Sequence, residues 1–366
     1  VNPDKSVVKV RALGDISLNG TFCDPYHHRA VKDNLSGIAD QLGPADLTIG
    51  NFESPIWGKS AGNPLKMPRL ATTVEAAECI LPLRLDVAVL ANNHAYDGLA
   101  EGFEKTSGFF DEHGICRLGA GFTDEEASRP IILARRGLTI GILAYVGEET
   151  KPCLPPDAGI RLNMLEPQRV LREVASLKQQ ADIVIVHLHW GADGLMQFPA
   201  PWKRKLGREV IEAGAALVIG GHSHCLQGDE PWQTGHIFYS MGHFIFGELP
   251  EQPGQWASKW PDFALKVATA EVELIAAGAE AARMVYFRQN GLKLQADNPA
   301  NRCRERLRLG APLSWNDQKL SNACRRETRR LFHKQLWTVI RDGGVWNLFK
   351  KIRSRHLKMT WHKLFP

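Results

Sequence analysis

Two histidines at alternate positions, His222 and His224, lie in Gly220-Gly221-His222-Ser223-His224 directly after the apolar run 215–219. Imidazoles grouped on one side of a strand-end loop are good ligands for divalent metals. Four further apolar segments end abruptly in polar residues of the same kind. Residues 7–13 run into Gly14-Asp15, 45–49 into Gly50-Asn51-Phe52-Glu53, 87–91 into Asn92-Asn93-His94, and 183–186 into His187-Leu188-His189-Trp190-Gly191. Ligands of an open α/β sheet collect outside the carboxyl ends of its strands. Five strand ends carrying Asp, Glu, Asn and His therefore describe one site.

Carboxylate, amide and imidazole together suit borderline or hard cations, namely Mn, Fe, Zn or Mg. Cysteine takes no part. The seven cysteines (Cys23, Cys79, Cys116, Cys153, Cys225, Cys303 and Cys324) form no C-x-x-C pair of the kind structural zinc uses. A catalytic centre is the better reading. Taken singly, Asp15 or Asp97 could be a helix cap, and Asn92 or Asn93 a turn residue. Glu53, before Ser54-Pro55, has no turn preference to explain it. His187 and His189 share a strand face, so the strand pattern alone allows either as ligand.

The set and order of these motifs resemble the bacterial capsule-synthesis CapA (poly-gamma-glutamate synthesis) family, a branch of the calcineurin-like metallophosphoesterases. The resemblance covers residues 7–247 and rests on Gly14-Asp15, Gly50-Asn51-Phe52-Glu53-Ser54-Pro55, Leu90-Ala91-Asn92-Asn93-His94 with Asp97-Gly98, His189-Trp190-Gly191, Gly221-His222-Ser223-His224 with Leu226-Gln227, and Tyr239-Ser240-Met241-Gly242. It implies an α/β fold, a metallophosphoesterase-like four-layer α/β/β/α sandwich. It also implies one or two divalent ions, with Asp15 and His224 on one, Asn93, His189 and His222 on the other, and Glu53 bridging. Such a pair activates a water as hydroxide and stabilises charge on the attacked group. His94 would act as general acid or anion contact, oriented by Asp97, with His187 behind the ligands. Two positions depart from the pattern. Asp15-Ile16-Ser17 lacks the histidine of Asp-x-His, and His243 stands where the family usually has Asn, either as a replacement ligand or as pocket wall.

The elements that must hold these residues alternate between strand and helix patterns, as layered sheets with outer helices require. Strand-like segments fall at 6–13, 45–50, 85–91, 131–134, 138–145, 182–189, 215–220 and 236–241, and an antiparallel pair at 264–275 and 281–288. Helical patterns fall at 73–81, 98–112, 167–179 and 201–213. Around the strand ends, Asn51, Trp57, Arg69, Trp190 and His243 are candidate substrate contacts, with Lys59 and Lys66 as further loop cations.

The chain has 366 residues, 44% of them hydrophobic, enough for a substantial core. No apolar run approaches the roughly 18–20 residues of a membrane-spanning helix. Scattered, odd-numbered cysteines point to a reducing compartment. The expectation is a cytoplasmic protein, or one peripheral at the inner membrane face, unless an export signal precedes the given sequence. Charge is uneven: residues 301–366 hold 17 Lys and Arg against 4 Asp and Glu, while the whole chain is only +5. A boundary near Gln289-Asn290-Gly291 therefore divides a catalytic domain, 1–295, from a basic, Trp-containing helical extension, 296–366. Within it, Val345, Phe349, Ile352, His356 and Met359 recur at helical spacing among Lys and Arg, a basic amphipathic pattern. Such a helix could pack on its own enzyme, bind an acidic polymer or lie on an anionic membrane. No motif supports nucleic-acid recognition.

The expected function is a metal-dependent hydrolase of capsule or exopolymer synthesis, acting on an anionic polymer or its lipid-linked precursor, in contact with a capsule-synthesis complex. The alternatives are a general phosphatase or phosphodiesterase, and a non-catalytic scaffold for polymer synthesis or export.

Overall fold

In the computed structural model, residues 6–57, 62–191, 195–248, 260–298, 302, 308–330 and 333 are described. Two mixed sheets dominate. The larger runs in the order Lys293–Ala296, Gly278–Asn290, Lys266–Ile275, Val8–Ser17, Leu47–Phe52, Val87–Val89, Cys116–Leu118, with His243–Phe246 also paired to Val8–Ser17. The other runs Asp229–Trp232, Gly235–Phe238, Leu217–Gly221, Ile183–His189, Leu138–Val146, Ile131–Arg135.

Strand alternation decides what each face meets. Ile183 and Ile185 belong to the core that also holds Val10, Ala12 and Ile49 of the larger sheet. Val184, Val186 and Leu188 instead pack with Val170, Val174, Leu206 and Val210 from the helices Pro167–Lys178 and Pro201–Glu212. The two sheets thus share one core, and helices cover the outer face of the second. His187 and His189 continue the register of Ile183 and Ile185, so both face the larger sheet.

The motif-bearing strands Val8–Ser17, Leu47–Phe52 and Val87–Val89 are mutually parallel, as are Leu138–Val146, Ile183–His189 and Leu217–Gly221. Their carboxyl ends carry the predicted site. The antiparallel pair expected after the motifs is Lys266–Ile275 with Gly278–Asn290.

Several elements differ from the sequence expectation. The first strand continues to Ser17, so Asp15 is a strand residue and not a turn or cap; the register shifts beside it. Gly14 makes this possible, because a Cβ there would lie 2.3 Å from the Gly242 carbonyl oxygen. The helix expected over 73–81 is α-helical only over Val74–Ala77 and continues as a 3-10 turn, Glu78–Leu83, that contains Pro82. The helix Pro25–Leu42 was not foreseen, although Asp24 caps it, Pro25 opens it and Val31, Leu35 and Ile38 form its buried stripe.

Near the carboxyl end of the described residues, 317–330 is helical, and the chain just before it is tied to the helix Pro201–Glu212. Arg204 donates to the carbonyl oxygens of Leu313 and Trp315 and to Asp317 Oδ1. Leu309 is part of the main core. The amphipathic stretch expected at 345–359, with Trp337, Trp346 and Trp361, lies outside the described residues.

Candidate metal centre

Asp15, Glu53 and His189 place ligand atoms within 4.8 Å of one another, all three side chains buried. Asn51 ties them together: its Nδ2 donates to Asp15 Oδ1 (2.7 Å) and lies 3.1 Å from Glu53 Oε1 and 3.2 Å from His189 Nδ1. The amide's orientation is set from behind, because Asn92 Nδ2 donates to Asn51 Oδ1 and to the Phe52 carbonyl. Asn92 Oδ1 in turn accepts the backbone N–H of His94. Asn92 therefore acts as a strut between the second and third motifs.

The other edge of His189 meets a second group. Its Nε2 lies 2.9 Å from Asn93 Oδ1 and 3.2 Å from His222 Nδ1. Ligand atoms bonded to one ion at about 2.0–2.2 Å stand roughly 3 Å apart, so His189 Nε2 stands at coordination spacing from both Asn93 Oδ1 and His222 Nδ1. His224 Nδ1 lies 3.9 Å from Asp15 Oδ2, and the His222 backbone N–H donates to that oxygen. Gly221 keeps the centre open: a Cβ there would lie 2.8 Å from Asp15 Oδ1 and 3.3 Å from His189 Nδ1. His222 and His224 both adopt positive φ (85° and 53°), an uncommon backbone state for non-glycine residues that turns this loop into the site.

The electrostatics fit a cation. Burial raises the Asp15 carboxyl from 3.8 to about 6, although Asn51 and the His222 N–H pull it down. Glu53 is pushed well up, by burial first and then by the charge of Asp15. Burial, reinforced by the neighbouring imidazoles, holds His189 and His222 well below their usual range, and burial holds His224 at about 3. Neutral imidazoles beside carboxylates that repel one another are a ligand set lacking only positive charge. Glu53 Oε2 and His224 Nδ1 are buried with no hydrogen-bond partner. The residues present therefore fit a divalent cation.

His94 stands beside this group with Nδ1 2.6 Å from Asp97 Oδ2, which also accepts the Leu70 N–H. Asp97 is thus the orienting partner of His94, not a helix cap. Burial, then Lys66, depresses His94; burial raises Asp97. Lys66, expected as a loop cation, is buried and donates to the Lys151 carbonyl oxygen.

The expected substrate contacts are placed otherwise. Trp190 has no exposed surface; its indole N–H donates to the Tyr239 carbonyl oxygen, and the ring stacks with Tyr239. It follows His189 in the chain, so alternation turns it to the helix-facing side. Asn51 is likewise fully buried, among Asp15, Glu53 and His189. Trp57 donates to the Leu70 carbonyl oxygen, and its ring lies where a Cβ on Gly98 or Gly62 would have to go. Arg69 donates to the Asn63 carbonyl oxygen. His243 is buried against Phe246 and Trp260. Lys59 lies outside the described residues. His187 is buried, its imidazole held at about 3 by burial.

Sequence reasoning overlooked the buried cation nearest the Trp190 ring. Lys203 Nζ donates to Gln227 Oε1 and lies 5.0 Å from the centre of the Trp190 ring, and burial lowers it to about 7. Its place in an amphipathic helix gave no sign of this.

A family model described as "Bacterial capsule synthesis protein PGA_cap" matches residues 9–248, about two thirds of the chain. This chain belongs to the PGA_cap family. Among PGA_cap relatives, the "PGA biosynthesis protein CapA" of Bacillus subtilis is 28% identical over 245 residues, covering 66% of this chain and 64% of that protein. The "Capsule biosynthesis protein CapA" of Bacillus anthracis is 26% identical over 243 residues, covering 64% and 59%. The chain thus spans about three fifths of the length of these curated relatives. The solved 5'-nucleotidase precursor of Thermus thermophilus aligns with a TM-score of 0.43 at 13% identity, covering 84% of this chain and 59% of that one. Every strand-end motif lies within the PGA_cap match. No helix among the described residues is long and apolar enough to cross a membrane.

Proposed function

We propose that this PGA_cap protein is a metal-dependent hydrolase of capsule-polymer synthesis, built on a four-layer α/β/β/α arrangement of the metallophosphoesterase kind. The convergence of Asn93, His189 and His222 beside the Asp15–Glu53 pair is the observation that carries the reading. When bound, one or two divalent ions would supply Lewis-acid polarisation and lower the pKa of a water. Asn93, His189 and His222 would hold one ion, Asp15 and His224 the other, with Glu53 between.

The remaining chemistry belongs to the chain itself. Asn92 and Asn51 hold the ligands in register before any ion binds, which limits the reorganisation that binding requires. Asp97 anchors His94 at Nδ1 and leaves Nε2 to face a reacting group. A proton at Nε2 makes an imidazolium, which burial and Lys66 oppose in the free protein and an incoming anionic group favours. His94 is thereby placed to protonate a leaving group or to hold an anionic oxygen.

The names of the two Bacillus relatives favour an anionic capsule polymer such as poly-gamma-glutamate, or its precursor, as substrate, and a capsule-synthesis complex as partner. Residues 1–295 form the catalytic part and 296–366 the basic extension. The test is hydrolysis of bis-p-nitrophenyl phosphate and of a gamma-glutamyl amide by wild type and His94→Ala, each loaded with Mn(II). Turnover of either compound by wild type, reduced at least about 100-fold in the variant, supports the reading. Turnover of neither, or equal turnover by both proteins, refutes it.

A further inference from the structure

The carboxylate side of the centre is short of imidazoles. His189 Nε2 is taken by the Asn93 and His222 side, and a neutral imidazole offers a single lone pair. On the strand of Asp15 itself, Ser17 is buried and its hydroxyl donates to Asn19 Oδ1 at 2.7 Å.

The neighbouring strand supplies what that strand does not. His243–Phe246 runs parallel to Val8–Ser17 with His243 opposite Asp15, and the Asp15 N–H donates to the Gly242 carbonyl oxygen. The close approach depends on Gly14. His243 is completely buried, and neither of its ring nitrogens has a hydrogen-bond partner. Its ring centroid is 4.9 Å from that of His224, whose Nδ1 is also unpartnered and lies 3.9 Å from Asp15 Oδ2. Phe246, stacked at 4.3 Å, and Trp260, edge-on at 4.4 Å, hold the His243 ring without offering it a polar atom.

A buried imidazole with two idle nitrogens has given up its hydration for nothing in the protein, and a phenyl ring would fill this space without that cost. Beside it, Glu53 Oε2 and His224 Nδ1 are unpartnered as well. We propose that His243 is a metal ligand, completing with Asp15 and His224 a second cation position beside that of Asn93, His189 and His222. The inference rests on the reading of this centre as a metal site and adds to it a ligand from the His243–Phe246 strand. Asp15 and His243 then bind as a cross-strand pair, so a single strand pairing fixes the geometry of this position.

The test is zinc stoichiometry and affinity of the full chain, by elemental analysis after gel filtration and by calorimetric titration, for wild type, His243→Asn and His189→Ala. The expected result is two equivalents for wild type, with the second weakened at least about 10-fold in His243→Asn and the other weakened in His189→Ala. Two equivalents with unchanged affinities in His243→Asn would overturn the His243 assignment while leaving the metal centre standing. No zinc on wild type would overturn the metal centre and this assignment with it. Should His243→Asn fail to fold, nitrogen NMR of wild type labelled at histidine decides. A shift of a His243 ring nitrogen on zinc addition is expected, and an unmoved His243 at two equivalents refutes the assignment.

Discussion

Asp15→Asn should make the metal-free protein more stable while weakening its response to metal. The Asp15 carboxyl is raised from 3.8 to about 6 chiefly by burial. A shift of roughly 2 pKa units corresponds to about 3 kcal/mol between protonation states. For an acid raised on folding, this cost is absent below the unfolded value, grows as pH climbs towards 6, and is complete above it. The amide keeps one of the two bonds now made by Asn51 and the His222 N–H, and losing the other costs about 1 kcal/mol. The net expectation in chelator at pH 7.5 is a gain of roughly 1–2 kcal/mol that disappears by pH 4. With Mn(II) the order should reverse, because a ligand that binds only the native state stabilises it by mass action. Urea denaturation of both proteins at the two pH values, with chelator and with Mn(II), measures all of this. A variant less stable than wild type in chelator at pH 7.5, or a gain equal at both pH values, would refute the reasoning.

Three further outcomes follow from particular contacts. Lys203 is lowered to about 7 by burial, so above that pH the unfolded chain holds a proton that the folded one does not. Wild-type stability relative to Lys203→Met should therefore rise by roughly 1 kcal/mol per pH unit between about pH 8 and 9; parallel pH profiles in denaturant would contradict this. Trp57→Ala should cost about 3–5 kcal/mol, measured by denaturation, because the ring fills the space above Gly98 and Gly62; a raised KM with unchanged stability would restore Trp57 as a substrate contact. Arg204→Ala should release 308–330 and accelerate tryptic cleavage at Arg308 or Lys319 without weakening metal binding, since Arg204 holds Leu313, Trp315 and Asp317. An unchanged cleavage rate would show that other contacts hold the segment.

The coming together of Asp15, Glu53, Asn93, His189, His222 and His224 was legible because each lies in a short motif directly after an apolar strand, where α/β sheets gather their sites. His189 over His187 came from the resemblance, since alternation gives both the same face. Trp190 was misread by nearness in sequence, when that same alternation turns it away from His189 and into the helix layer. What stayed hidden depends on contacts far apart in the chain. The Asn92 amide that orients Asn51 spans 41 residues and the His243 approach to Asp15 spans more than two hundred; no local pattern reports either. The docking of 308–330 was hidden in the same way, because its anchor, Arg204, reads from sequence as one more solvated cation.

The central claim is that these strand ends hold metal. Metal content per chain, measured on wild type and on His189→Ala/His222→Ala purified without chelator, tests it most directly. The account predicts one to two equivalents of Mn, Fe or Zn on wild type and a loss of at least one equivalent in the variant. No metal on wild type, with none taken up on reconstitution, would contradict it.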